Sequence, residues 1–102
     1  MEFDHVAINV DDVERAVEWY QQNLHAHVEY RDNTWAMLKI GDVRVALTKP
    51  TEHPSHIAVK IDSFNEFPQG CEIKTHRDGS LYSYCKDSEG NTVEWIYWGN
   101  KV

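Results

Sequence analysis

The chain contains an internal repeat, and this repeat limits the folds open to it more than any other feature. DHVAINVDD at positions 4–12 and SHIAVKIDS at positions 55–63 align without a gap, which places His5 on His56 and Asp11 on Asp62. Both segments alternate with a period of two, which predicts a β-strand in each. A copy of about 50 residues is too small to bury both faces of a sheet. We therefore predict two tandem copies that pair around a shared cleft, with both histidines facing it.

Each copy reads as βαβββ, an α+β pattern, within a single domain that spans residues 1–102. The first module, about 1–49, has a predicted helix at 13–24 and predicted strands at about 3–10, 28–31, 35–40 and 43–48. The second module, about 54–102, has predicted strands at about 55–61, 71–75, 81–86 and 92–98. Its helix should shrink to one or two turns, because Pro68 and Gly70 interrupt it. The side chains predicted to pack inside the modules include Phe3, Val6, Ile8, Val10, Trp19 and Trp95.

The composition restricts the class of protein. Acidic residues number 17 and basic residues 10, so the net charge of −7 argues against nucleic acid as a partner. No apolar run approaches the ~20 residues of a membrane span, and the first residues do not resemble a signal peptide. A cytoplasmic location is therefore expected, with no membrane partner. Cys71 and Cys85 are interpreted as two buried thiols in a reducing compartment, although neighbouring strands would let them meet.

A metal site is the strongest functional signal. The alternation in TVEWIYW, residues 92–98, places Glu94 in the middle of an otherwise apolar strand. A carboxylate there is costly unless it is paired or bound. Together with His5 and His56 it forms a 2-His-1-Glu set that suits a divalent ion such as Fe, Mn, Zn, Ni or Co. Taken singly, each residue could instead be a packed histidine or an edge-strand charge.

Three stretches resemble the vicinal oxygen chelate superfamily, also called the glyoxalase/bleomycin-resistance/dioxygenase superfamily. They are DHVAINVDDVERAVEWYQQNL, SHIAVKID and DSEGNTVEW, and together they extend the resemblance over nearly the whole chain. The resemblance implies paired modules in a U-shaped, partly open barrel with a central cleft, where His5, His56 and Glu94 hold the metal. Glyoxalase-type members use a fourth ligand, whose position here is Val45 or Ala46. The sequence is thus closer to the three-ligand extradiol dioxygenases and fosfomycin-resistance transferases, and lactoylglutathione lyase activity is disfavoured.

Other polar and aromatic residues are candidates for contact with a substrate. Lys60 and Tyr84 are the candidate catalytic groups, and Lys60 could hold an anionic part of the substrate or simply be solvated. The candidate cleft residues are Asn9, Trp35, Tyr82, Ile96 and Trp98. The four remaining histidines, His25, His27, His53 and His76, are assigned no role.

These observations leave competing functions. The first is a divalent-metal-dependent enzyme of the lyase, dioxygenase or thiol-transferase type, acting on a small oxygen-rich molecule. The alternative is a non-catalytic, drug-sequestering protein of the bleomycin-resistance type, which the acidic charge and four tryptophans would suit. A metal-binding cleft without turnover is the third. A homodimer is expected in all three, since small open sheets leave edges and apolar surface to cover.

Overall fold

A computed structural model of the chain describes residues 1–99. These residues form one α-helix, one short 3₁₀ turn (Phe64–Glu66) and eight strands. The helix is α1 (Val13–Leu24), and the strands are β1 (Glu2–Asn9), β2 (His27–Arg31), β3 (Trp35–Ile40), β4 (Val43–Thr48), β5 (His56–Ile61), β6 (Ile73–Thr75), β7 (Leu81–Lys86) and β8 (Thr92–Tyr97). The fold is α+β, as predicted. No helix within residues 1–99 is long and apolar enough to cross a membrane.

The chain divides into two compact units with the same strand plan. The N-terminal unit is His5–Ser55, and the C-terminal unit combines Met1–Asp4 with the chain from His56 onward. The strand order is β2-β3-β4-β1 in the first unit and β5-β8-β7-β6 in the second. In each unit the first strand runs parallel to the last, and the other neighbours are antiparallel. The unit boundary follows the joint KPTEHP that separates the two copies of the repeat.

The core of the N-terminal unit lies between α1 and strands β3 and β4. The Asp12 side chain caps the helix by accepting a hydrogen bond from the Arg15 backbone N–H at 3.0 Å. The helix ends at His25, which has a left-handed conformation with φ of 53°. The residues that form or pack against this core include Val6, Val10, Val13, Val17, Leu38 and Leu47. The predicted helix, and the packing of Val6 and Val10, are therefore confirmed.

Three side chains predicted to be packed are instead exposed. Trp19 is 54% exposed because it lies two positions beyond the fully buried Val17, and two helix positions correspond to roughly 200° around the axis. Phe3 is 56% exposed, and its position alternates with that of Val6, so it lies on the other face of β1. Ile8 is 37% exposed, although Val6 on the same face of β1 packs against the core. These three predictions were wrong.

The C-terminal unit has only the 3₁₀ turn in place of an α-helix, as predicted. Ser63 and Glu66 form a capping box around this turn, which ends at Phe67. Phe64 and Phe67 then pack edge-on against Tyr97. The short turn leaves parts of the sheet uncovered, and Ile57 is 44% exposed.

A disulfide joins the two cysteines of the C-terminal unit. Cys71 precedes β6 and Cys85 lies on β7, with 5.9 Å between their Cα atoms. The interpretation of two separate thiols is therefore corrected. Spacing along the sequence could not decide it, because the strand pairing that brings the two residues together is set by the β6–β7 register.

Candidate metal centre

Glu94 occupies the middle of a polar face on the sheet of the C-terminal unit. Residues paired across neighbouring strands point to the same side of a sheet. The pairing aligns three rows across β5, β8 and β7, and every residue in these rows shares the Glu94 face. The rows are His56–Thr92–Lys86, Ala58–Glu94–Tyr84 and Lys60–Ile96–Tyr82. The face that the sequence could not assign to Tyr82 and Tyr84 is thus the face of Glu94.

The turn DSEGN fixes the register that places Glu94 opposite Tyr84. The Asp87 carboxylate accepts hydrogen bonds from the backbone N–H groups of Glu89 and Asn91, both at 2.8 Å, and from the Asn91 side chain at 3.0 Å. Gly90 has φ of 88°, a conformation that favours glycine. These bonds, led by that from the Asn91 side chain, lower the pKa of Asp87. The charged aspartate therefore stabilises the hairpin that positions Glu94.

The Glu94 carboxylate is buried and is held by two histidines. Its side chain is 3% exposed; Oε1 lies 3.1 Å from His56 Nε2, and Oε2 lies 2.8 Å from His76 Nε2. Burial alone would raise the pKa of Glu94, but hydrogen bonds and charge from His56 and His76 outweigh it and bring the pKa to about 2. Glu94 is consequently an ionised carboxylate, able only to accept hydrogen bonds.

Sequence reasoning missed His76, which the structure places beside Glu94. His76 follows β6, and its imidazole stacks on the Tyr82 ring with centroids 3.7 Å apart and an interplanar angle of 11°. Backbone bonds hold it in the hairpin, from its N–H to Ser80 O and from Gly79 N–H to its own carbonyl, both 2.9 Å. The sequence predicted the turn RDGS but gave no sign that the residue before it would reach a strand two places along the sheet.

Tyr84 lies next to both His56 and Glu94. Its ring centroid is 5.1 Å from that of His56, and Tyr82 packs edge-on against it at 5.3 Å. Burial, the charge of Glu94 and the neighbouring Tyr82 all raise the pKa of Tyr84. The phenol is therefore protonated at neutral pH and carries an O–H donor group.

Two lysines lie on the same face, one in each outer row. Lys86 Nζ donates to Thr92 Oγ1 at 2.9 Å, in the row that contains His56. Lys60 Nζ lies 3.7 Å from Glu2 Oε2, and both side chains are substantially exposed. Ile96 is 4% exposed, whereas Trp98, beyond the end of β8, is 39% exposed. The face thus combines a buried anion with cations at its margins.

His5 lies on β1 in the N-terminal unit and is 8% exposed. It alternates with Val6, so it lies on the strand face away from α1, which it shares with Ala7 and Asn9. The same face of β3 carries Trp35, whose ring stacks on Tyr30 with centroids 4.6 Å apart. Trp35 therefore has an aromatic partner within its own unit.

Asn9 was predicted to be a cleft residue, but its side chain is engaged elsewhere. Its Nδ2 donates to the carbonyls of Thr48 at 3.2 Å and His53 at 2.8 Å, while its Oδ1 accepts from the Ser55 N–H at 3.1 Å. The Asn9 backbone N–H also donates to Ser55 Oγ at 3.0 Å. Asn9 therefore fastens the segment that follows β4, and its place in the cleft stays a prediction.

Residues 2–66, more than half of the chain, match the family described as the Glyoxalase/Bleomycin resistance protein/Dioxygenase superfamily. The chain belongs to this superfamily. The resemblance inferred from the sequence is therefore confirmed. No curated protein matches the sequence significantly.

Solved structures share the glyoxalase fold over almost the whole chain. A hypothetical protein from Bacillus halodurans C-125 has a TM-score of 0.76 at 16% identity, over 99% of this chain and 96% of its own. A superfamily member from Vibrio splendidus 12B01 has a TM-score of 0.68 at 12% identity, over 91% and 96%. Methylmalonyl-CoA epimerase from Streptomyces coelicolor, in complex with 2-nitronate-propionyl-CoA, has a TM-score of 0.68 at 18% identity, over 98% and 96%. At these identities the likeness concerns the fold.

The two residues predicted to stand at the fourth-ligand position, Val45 and Ala46, lie on opposite faces of β4. Val45 belongs to the core beneath α1, whereas Ala46 pairs with Ala7 and so shares the strand face of His5. Ala46 thus shares a face with His5, and its methyl group offers no ligand atom.

The donor groups of the C-terminal unit fit a divalent metal ion. Ligand bonds of about 2.0–2.2 Å at angles near 90–110° place two donor atoms roughly 3 Å apart. His56 Nε2 and Glu94 Oε1 are 3.1 Å apart, and both side chains are buried. An imidazole nitrogen and a carboxylate oxygen are ligands for Fe, Mn, Co, Ni and Zn, and they do not discriminate among these ions.

Proposed function

We propose that the protein is a divalent-metal-dependent enzyme that acts on a small, oxygen-rich substrate. The observation that carries this proposal is the buried, ionised Glu94 carboxylate, 3.1 Å from His56 Nε2. His5, buried and equivalent to His56 in the internal repeat, is the proposed third ligand. Burial of a charged carboxylate is costly, and a metal ion would add to the compensation that His56 and His76 provide.

The residues on the polar face of the C-terminal unit have proposed roles in binding the substrate. A bound ion would supply Lewis-acid stabilisation of negative charge on the substrate oxygens. Tyr84, which stays protonated, would donate a hydrogen bond to one of these oxygens, and Lys60 or Lys86 would attract an anionic substituent. Tyr82 and Ile96 would border the substrate on the Tyr84 side. The reaction is proposed to be of the lyase, dioxygenase or thiol-transferase type.

A metal titration tests the proposal directly. Chelator-stripped protein would be titrated with Mn, Fe, Co, Ni and Zn ions by calorimetry, using the wild type, His5→Ala, His56→Ala and the control His27→Ala. About one ion per chain is expected for the wild type and the control, with a loss of at least a hundredfold in affinity in the other two variants. The absence of ion uptake by the wild type would refute the enzyme proposal.

Substrate classes would be tested only on the metal-loaded protein. Catechols would report ring cleavage, thiols with an epoxide would report group transfer, and a hemithioacetal would report lyase activity. A 2-substituted acyl-CoA belongs in the set because methylmalonyl-CoA epimerases share the fold. The methyl group of Ala46 predicts little turnover of the hemithioacetal, since the position lacks a carboxylate base.

A non-catalytic binding protein is the second candidate. The net charge of −7 and the exposed Trp98 favour a cationic aromatic ligand. Cationic glycopeptides and dyes would then change the tryptophan fluorescence of the metal-free protein, and the Trp98→Leu variant would lose that change. A flat response across the ligands would count against this candidate.

Two further proposals concern assembly and location. The uncovered sheet surface around Ile57 supports a homodimer, and a monomeric mass in sedimentation would contradict it. The cytoplasmic location stays a prediction. The Cys71–Cys85 disulfide counts against this location, because disulfides are more typical of oxidising compartments.

A further inference from the structure

We infer that His76 is a positioning residue, which orients the Glu94 carboxylate so that Oε1, the oxygen beside His56, is presented to the metal. This role rests on the proposed metal-dependent function. The role is inferred because each oxygen of the carboxylate faces a different histidine. His56 Nε2 lies 3.1 Å from Oε1, and His76 Nε2 lies 2.8 Å from Oε2.

The proton positions at this contact follow from the chemistry of the carboxylate. A carboxylate that binds a metal ion is deprotonated and can only accept hydrogen bonds, so the bond at 2.8 Å then requires the proton on His76 Nε2. When His56 Nε2 and Glu94 Oε1 turn to a metal ion, the His76 bond to Oε2 can persist unchanged. A carboxylate ligand whose second oxygen is fixed in this way loses less rotational freedom on binding the ion.

His76 is itself held rigidly enough to fix another group. Its ring is stacked at 3.7 Å on Tyr82, and its backbone is bonded on both sides of the turn. Asp78 secures the same turn by accepting from the Ser80 N–H at 2.8 Å and from the Ser80 hydroxyl at 2.6 Å. The side chain of His76 is 27% exposed, whereas that of Glu94 is 3% exposed. His76 therefore approaches the buried carboxylate from the solvent side.

Two substitutions separate the hydrogen bond from the stacking. His76→Phe keeps a ring for Tyr82 but removes the donor, whereas His76→Gln keeps an N–H donor and removes the aromatic ring. The metal affinity of each variant would be measured by calorimetry with Mn(II), and the ligand field of the Co(II) forms by absorption spectroscopy. Arg77→Ala, an exposed neighbour in the same turn, serves as the matched control.

The expected result is a loss of metal affinity in His76→Phe of about 10- to 100-fold, with His76→Gln and Arg77→Ala within about threefold of the wild type. A purely structural role of the ring predicts the reverse order, and that order would overturn the inference. Equal affinity in wild type and His76→Phe would also overturn it. If the Co(II) spectra show one nitrogen ligand fewer in His76→Gln than in the wild type, His76 is itself a ligand. That result would also contradict a positioning role. If the wild type binds no ion, the proposed function itself fails, and the role of His76 falls with it.

Discussion

Asn9 offers the sharpest test of the division between structural and functional residues. The sequence placed it beside the metal site, whereas the structure shows its side chain fastening the segment after β4 through three hydrogen bonds. The variant Asn9→Ala removes all three. If the structural assignment is correct, the variant should lose stability but keep the metal affinity of the wild type.

The expected loss in the free energy of unfolding follows from the hydrogen bonds that the partners of Asn9 lose in the variant. Thr48 O keeps a bond from the Val10 N–H at 3.0 Å, so it remains satisfied in the variant. His53 O and the Ser55 N–H lose their Asn9 partners, and the exposed Ser55 can turn to water. With about 0.5–1.5 kcal/mol for each bond, the free energy of unfolding should fall by about 2 kcal/mol.

Urea unfolding followed by tryptophan fluorescence would measure this loss. With a slope of about 1–2 kcal/mol per molar urea, the midpoint should fall by roughly 1–2 M. Asn23→Ala is the control, because Asn23 makes one exposed hydrogen bond, to Trp19 O within α1. Its free energy of unfolding should stay within about 0.5 kcal/mol of the wild type. An unchanged midpoint in Asn9→Ala, combined with a tenfold weaker metal affinity, would refute the reasoning and restore Asn9 to the site.

Two further predictions concern the C-terminal unit. Reduction of the Cys71–Cys85 disulfide by a dithiol, or the Cys71→Ser/Cys85→Ser variant, should lower the free energy of unfolding by about 3 kcal/mol, because the bond closes a loop with a sequence separation of 14 residues; urea midpoints that coincide with and without reductant would contradict this. The lowered pKa of Asp87 means that its carboxylate stabilises the fold above its ordinary pKa of about 3.8 and that this contribution is lost as the pH falls below it. The stability difference between wild type and Asp87→Asn should therefore be present at pH 7 and vanish towards pH 2 in thermal unfolding scans, and a difference that persists undiminished at pH 2 would show that the charge is not involved.

Local patterns predicted the elements of the fold well. The helix Val13–Leu24 was given by apolar residues spaced three and four apart, and the failed second helix by Pro68 and Gly70. The errors concerned tertiary packing, that is, which predicted core side chains are buried. Trp19 has a large apolar ring but lies on the outer side of α1, and Ile8 alternates correctly with the packed Val6 but is itself 37% exposed. Periodicity assigns a face to a side chain, but it does not say what covers that face.

The dependence on periodicity also explains which residues of the candidate site could be predicted from the sequence. His56 and Glu94 share a face of two paired parallel strands, and alternation within each strand was the pattern that drew attention to them in the sequence. His76 lies outside any strand, and its contact with Glu94 depends on the stacking of its ring on Tyr82 and on the shape of one turn. Neither feature has a period that a sequence could display. A candidate ligand on a regular strand therefore follows a pattern in the sequence, whereas the contact of a turn residue such as His76 with Glu94 becomes visible only in the folded chain.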